Sequence, residues 1–257
     1  MTKKVFAIAA HPDDIEFMMA GTLIRLKSTG FELHYMTIAN GSCGTAVLDK
    51  DEIIKIRTQE AKEAAEFIGA EYHPPLVDDI EIYYERETLA KLTAIIRQVA
   101  PEILLIPSPE EYMEDHSNTC RLAVSAAFCR SLKNFPTKPS TDAINNEMAI
   151  YHALPYGLKD PLRKPIIPDF FVDISDIIKQ KREMLAKHKS QKEWLDHSQG
   201  IDSYLTTMEQ MSAQVGTMSG KFEYAEGWRR HSHLGFASSE EFDPLAEALR
   251  DKISISE

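Results

Sequence analysis

The sequence predicts an α/β fold in which helices pack on a mostly parallel sheet, followed by a C-terminal part that is helical and extended. Three observations lead there. Up to about residue 135, short β-rich runs alternate with longer segments whose apolar residues recur at helical spacing, as in βαβ units. Ile103 to Ile106 is an unbroken apolar run between prolines, as in a strand buried on both faces. The helical segments run into residues suited to stopping them, Gly30, Gly69 and Pro101.

Val5 to Ala10 is the first strand, because an apolar run this short, met at once by His11-Pro12-Asp13-Asp14, is not a signal peptide. Ile15 to Ser28 reads as a helix closed by Gly30, and Phe31 to Ala39 as the next strand, leading into a loop with Gly41, Ser42, Cys43 and Gly44. Asp51 to Ile68 carries an apolar face of Ile53, Ile54, Ala61, Ala64, Ala65 and Ile68. Leu89, Leu92, Ile95, Ile96 and Val99 mark a further helix. After the Ile103 to Ile106 strand, a polar loop from Ser108 to Asn118 precedes a helix from Thr119 to Leu132. Lys133 to Asn146, rich in Pro, Ser, Thr and Asn, reads as a surface excursion. Met148 to Leu154 and Phe170 to Ile174 read as strands, and Ser175 to about Trp194 and Ile201 to Val215 as helices. No repeat interrupts the pattern, so residues 1–257 are expected to form one domain.

Composition narrows the function. The chain of 257 residues has 29 Lys+Arg against 40 Asp+Glu, a net charge of −11, which argues against a nucleic-acid partner. Cys43, Cys120 and Cys129 show no paired spacing, so neither a disulfide framework nor a cysteine zinc knuckle is indicated, and a reducing, cytoplasmic setting is expected. No stretch approaches the roughly 20 apolar residues of a membrane span.

In open α/β sheets ligands bind beyond the carboxyl ends of the strands. Two such places hold chemistry: His11-Pro12-Asp13-Asp14-Ile15-Glu16 after the first strand, and Glu114-Asp115-His116 after Ile103 to Ile106. An imidazole and a carboxylate three residues apart on a turn opening a helix can face one cation, with Asp13 turned to a water beside it, and His116 would complete a three-ligand hydrolytic set. The competing reading is that Asp13 or Asp14 merely caps the following helix.

The run Ala10-His11-Pro12-Asp13-Asp14-x-Glu16, with an Asp-His pair about a hundred residues later, resembles the zinc-dependent de-N-acetylase family of GlcNAc-phosphatidylinositol de-N-acetylases and bacterial LmbE-like deacetylases. Ile56-Arg57-x-x-Glu60-Ala61, Asp169 to Ser175 and Tyr224-Ala225-Glu226-Gly227 support it. The resemblance implies a Rossmann-like three-layer fold and removal of an N-acetyl group from a small amino sugar or related acetamide. It implies Zn2+, with another divalent metal as the alternative, held by His11, Asp14 and His116. Asp13 is then the general base and Arg57 lies near the substrate. A homo-oligomer is also implied.

One departure matters. The family's second motif commonly reads His-Pro-Asp-His, and here the run is Met113-Glu114-Asp115-His116, so Met113 replaces a group that can carry a proton. Asp115 remains able to orient the site. His152 and His233, the latter in Trp228 to Phe236, are candidates to supply the missing acid. A catalytically altered metal- or sugar-binding member of the same fold is the alternative function. A nucleotide-binding protein is disfavoured because carboxylates stand where a glycine-rich phosphate turn would be needed.

Overall fold

A computed structural model describes residues 2–192 and 203–256. The chain runs β1 (Lys4–Ala9), α1 (Asp14–Met18), α2 (Ala20–Ser28), β2 (Glu32–Thr37), α3 (Lys50–Phe67), β3 (Ala70–His73), α4 (Arg86–Val99), β4 (Ile103–Ile106) and α5 (Glu114–Cys129). It continues with β5 (Ala149–Ala153), β6 (Phe170–Asp173), α6 (Ile178–Leu185), α7 (Ser203–Met218), β7 (Ala225–Arg230), α8 (Pro244–Ala248) and β8 (Ile253–Ile255).

These strands form one sheet in the order β3-β2-β1-β4-β5-β7-β6-β8. β3, β2, β1, β4 and β5 pair in parallel, and β7 and β8 enter antiparallel. Strand alternation splits β1 between two cores. Val5, Ala7 and Ala9 pack with α2 and the alanine face of α3 on one side, while Phe6 and Ile8 pack with α4 and α5 on the other. Both faces of the parallel strands are thereby covered, which makes three layers. The chain leaves β1 towards β2 and β3, then crosses back to β4 on the other side. The strand order therefore reverses between β1 and β4, and a crevice opens beyond their carboxyl ends.

The structure departs from the sequence expectations in places. The expected Ile15 to Ser28 helix is interrupted at Met19, which leaves the helical region at φ −134°. The break starts α2 beside β7, where the Glu226 carboxylate accepts from the N–H groups of Gly21 and Thr22 at 2.8 and 2.7 Å. A carboxylate at a helix N-terminus satisfies donors with no partner inside the helix. Lys181 closes a buried ion pair to the same carboxylate at 2.7 Å. Strand β3 was not expected, because Ala70–His73 is short and half polar at the sheet edge. The Ser175 to Trp194 helix is a 3-10 turn over Ser175–Ile177 followed by α6, and residues 193 and 194 lie outside the described residues, as do 201 and 202 at the start of the expected Ile201 helix. Trp228 to Phe236 is extended only to Arg230.

Candidate metal and catalytic site

The turn after β1 brings three ligand atoms together with help from α5. Those of His11, Asp14 and His116 lie within 4.8 Å of one another. Asp14 Oδ2 is 3.6 Å from His11 Nδ1 and 3.3 Å from His116 Nε2, and it also accepts the backbone N–H of His11 at 2.8 Å. Each imidazole spends its other nitrogen on a carboxylate. His11 Nε2 meets Asp115 Oδ2 at 2.9 Å, and His116 Nδ1 lies 3.3 Å from Glu111 Oε2. This leaves Nδ1 of His11 and Nε2 of His116 facing the Asp14 oxygen, as in the carboxylate–histidine–metal pattern of metalloproteins.

The electrostatics suit a cation. Burial opposes protonation of His11, yet hydrogen bonds to Asp115 and Asp14 push its pKa up to about 10. Burial likewise opposes charge on His116, and Asp14 and Glu111 overcome it. Burial would raise Asp14, but His116 and His11 hold it well below the usual carboxylate range. The carboxylates thus draw positive charge into this spot, and a divalent ion satisfies the same demand with neutral imidazoles as ligands.

Asp13 stands beside this group without capping α1. Its φ of 111° is unusual for a residue with a side chain, and no side-chain cap bond forms, so the capping reading fails for Asp13. Its carboxylate instead accepts the Tyr204 hydroxyl of α7 at 2.8 Å and lies 3.6 Å from Arg57 Nη2. Burial raises the Asp13 pKa, against the pull of the Arg57 guanidinium. Arg57 is buried and its Nη2 donates to the carbonyl of Pro12, so it braces the turn that carries His11 and Asp14. Gly41, at φ 82°, and Gly44 leave the room it occupies. A Cβ at Gly41 would fall 2.4 Å from Arg57 Cδ, and one at Gly44 would fall 2.3 Å from Nη1. Asp79 holds that loop by accepting the N–H groups of Gly41 and Cys43 at 2.7 and 2.9 Å.

These residues floor a pocket of about 370 Å³. Its wall is aromatic. Tyr112 lies 5.8 Å from the His116 ring and 6.0 Å from Tyr156, and Phe17 joins Tyr156 at 5.6 Å to Tyr204 at 5.3 Å. Met113 lines the pocket where the family pattern has an imidazole.

Two candidates do not reach the pocket. His152 is buried, its Nδ1 3.0 Å from the Pro107 carbonyl and its Nε2 2.9 Å from His231 Nδ1. β5 points this ring into the α5 side of the sheet, against Cys120. His233 follows the end of β7 in a loop and is not among the residues that line the pocket. The pocket residues that the sequence did not single out include Asp79, Glu111, Tyr112, Tyr156 and Tyr204. Glu111 had a signal, standing five residues before His116 in a loop that follows a strand. Tyr204 had none, being brought in by tertiary packing of α7.

A family profile described as GlcNAc-PI de-N-acetylase, PIG-L, matches residues 6–127. Diacetylchitobiose deacetylase of Thermococcus kodakarensis is 30% identical over 233 residues, covering 88% of this chain and 82% of that protein. The chain belongs to the PIG-L family. The solved N,N'-diacetylchitobiose deacetylase of Pyrococcus horikoshii superposes with a TM-score of 0.77 at 26% identity, covering 93% of this chain and 87% of that one. The 4-oxalmesaconate hydratase of Pseudomonas putida is 24% identical over 187 residues, covering 70% of each chain. The PIG-L profile spans His11, Asp13, Asp14, Arg57, Asp79, Glu111 and His116, whereas Tyr204 lies beyond its end.

Proposed function

We propose that the protein is a metal-dependent hydrolase that removes the N-acetyl group of an acetamido sugar. The observation that carries this is the placement of Asp13 beside the convergent His11, Asp14 and His116 at the floor of the pocket. His11, Asp14 and His116 would hold a divalent ion, zinc by the imidazole and carboxylate donors, which would supply polarisation of the amide carbonyl and acidification of the attacking water. Asp13 takes the proton of that water. Arg57 and the Tyr204 hydroxyl aim the Asp13 carboxylate and favour its ionised form, against the burial that raises its pKa. Met113 carries no proton, so Asp13, protonated by the first step, returns that proton to the leaving amine nitrogen and is restored as a carboxylate.

The pocket fits a neutral sugar. Among the described lining residues, the carboxylates of Asp13, Asp14, Asp79 and Glu111 outweigh the Arg57 guanidinium together with one divalent ion, so the pocket offers no surplus positive charge to a substrate with several carboxylates or phosphates. Tyr112 and Tyr156 stand partly exposed on the wall, where the C–H face of a pyranose packs and their hydroxyls reach its own.

Met113 favours one second reading, a binding protein that has lost turnover. Acetate release from N-acetylglucosamine, its glycosides, its phosphorylated forms and diacetylchitobiose separates the two. Metal-restored release from the neutral sugars supports hydrolysis. Silence across the panel from metal-loaded protein overturns it.

A further inference from the structure

The edge of the sheet carries a second convergence of ligands. His34 of β2 pairs in register with Glu71 of β3, and His73 follows two residues later on the same face. The ligand atoms of His34, Glu71 and His73 lie within 4.8 Å of one another. His34 Nδ1 is 2.9 Å from His73 Nε2 and 3.6 Å from Glu71 Oε2. Zinc bonded to nitrogen at about 2.0–2.1 Å in a tetrahedron needs its ligand atoms about 3.3 Å apart, so both separations sit within a few tenths of that edge.

From this geometry we infer a second divalent-metal site of the zinc class, formed by His34, Glu71 and His73 with its remaining position open to water. The His34 ring is oriented for the task. Its Nε2 lies 3.1 Å from Glu32 Oε1, and an N–H donated there leaves the Nδ1 lone pair facing His73 and Glu71. In the metal-free state that lone pair accepts the His73 Nε2–H. The metal takes the place of the shared proton, which the His73 ring then carries on Nδ1. Burial keeps both rings neutral at pH 7, with His73 lowered to about 4 by burial and by His34. Phe6 packs against both rings, at 5.1 Å from His73 and 6.1 Å from His34, and fixes their planes. Two imidazoles and one carboxylate select zinc, cobalt or nickel over magnesium or calcium. Lys4, 3.4 Å from Glu32 Oε1, competes for the orienting carboxylate and caps the affinity.

The position has a consequence for the pocket. β2 runs on to the Gly41–Gly44 loop around Arg57, and β3 runs on to Asp79 and Ile80. An ion joining His34 to Glu71 and His73 therefore ties together the strands beneath both loops. The site shares no residue with the His11 group and does not depend on the hydrolase reading.

The test is zinc stoichiometry of the full chain, by competition with a chromophoric chelator. Wild type is expected to bind two ions, and His73→Ala one. Glu71→Gln, at a side chain 63% exposed and so safe for folding, is expected to weaken only the second ion, by tenfold or more. In a His116→Ala background, zinc is expected still to raise the melting temperature, and adding His73→Ala to abolish that rise. One ion bound by wild type, with Glu71→Gln and His73→Ala unchanged from it, overturns the inference.

Discussion

The Tyr204 hydroxyl donates to Asp13 Oδ2 at 2.8 Å, joining a helix of the C-terminal half to the turn after the first strand. A charge-assisted bond of this kind holds the carboxylate in one rotamer and favours its ionised form. Tyr204→Phe removes only the hydroxyl. With hydrogen bonds to charged groups worth about 1.5–3 kcal/mol, kcat is expected to fall roughly 10- to 100-fold with little change in KM and none in metal content. Steady-state kinetics beside metal analysis checks this; an unchanged kcat removes Tyr204 from the machinery.

Glu111 and Asp115 each hold one imidazole of the proposed metal site, and loss of such partners typically costs 10- to 100-fold in metal affinity. Glu111→Gln and Asp115→Asn are each expected to shift chelator-competition curves by that amount while leaving the ion bound at saturation. Asp115 also accepts the N–H of Ile80 at 2.7 Å, and Ile80 sits at φ 65°. Asp115→Asn is therefore expected to lower stability more than Glu111→Gln, which denaturant midpoints will rank.

His152 gives a pH signature. Burial lowers its pKa from 6.5 to about 4. Between those values the unfolded chain binds the proton and the folded one does not, so this stability is present above pH 6.5 and is lost as pH falls towards 4. The ceiling is about 3 kcal/mol. The destabilisation caused by His152→Gln is thus expected to be largest at pH 7 and to shrink towards pH 4 in chemical denaturation. A pH-independent difference contradicts it.

Glu226 and Lys181 form an ion pair with both side chains almost fully buried. Glu226→Gln leaves the ammonium without its counter-charge and weakens the start of α2, so a loss of about 3–5 kcal/mol is expected. Adding Lys181→Met is expected to recover part of it, and equilibrium unfolding measures both.

Much of the candidate site was legible because it lies in two short runs, each directly after a strand whose apolar pattern is plain. His11, Asp13 and Asp14 follow β1, and His116 follows β4; strand order alone then makes them neighbours. What stayed hidden depends on tertiary packing. Tyr204 reaches Asp13 from a distant helix, and Asp79 follows β3, whose polar edge residues carry no strand period. His152 looked like a proton donor because it ends a strand, but alternation along β5 turns its ring into the sheet's core side. The role of Tyr224 to Gly227 was likewise not readable, since Glu226 acts by capping a helix break at Met19 that helical periodicity conceals.

Asp13 gives the most direct test of the hydrolase reading. Acetate release and bound metal are measured together for wild type, chelator-stripped wild type and Asp13→Asn on the best neutral acetamido sugar. The expected result is release by wild type that chelation abolishes and metal restores, with Asp13→Asn retaining its metal and losing at least about 100-fold in rate. Full activity of Asp13→Asn, or release indifferent to chelation, contradicts it.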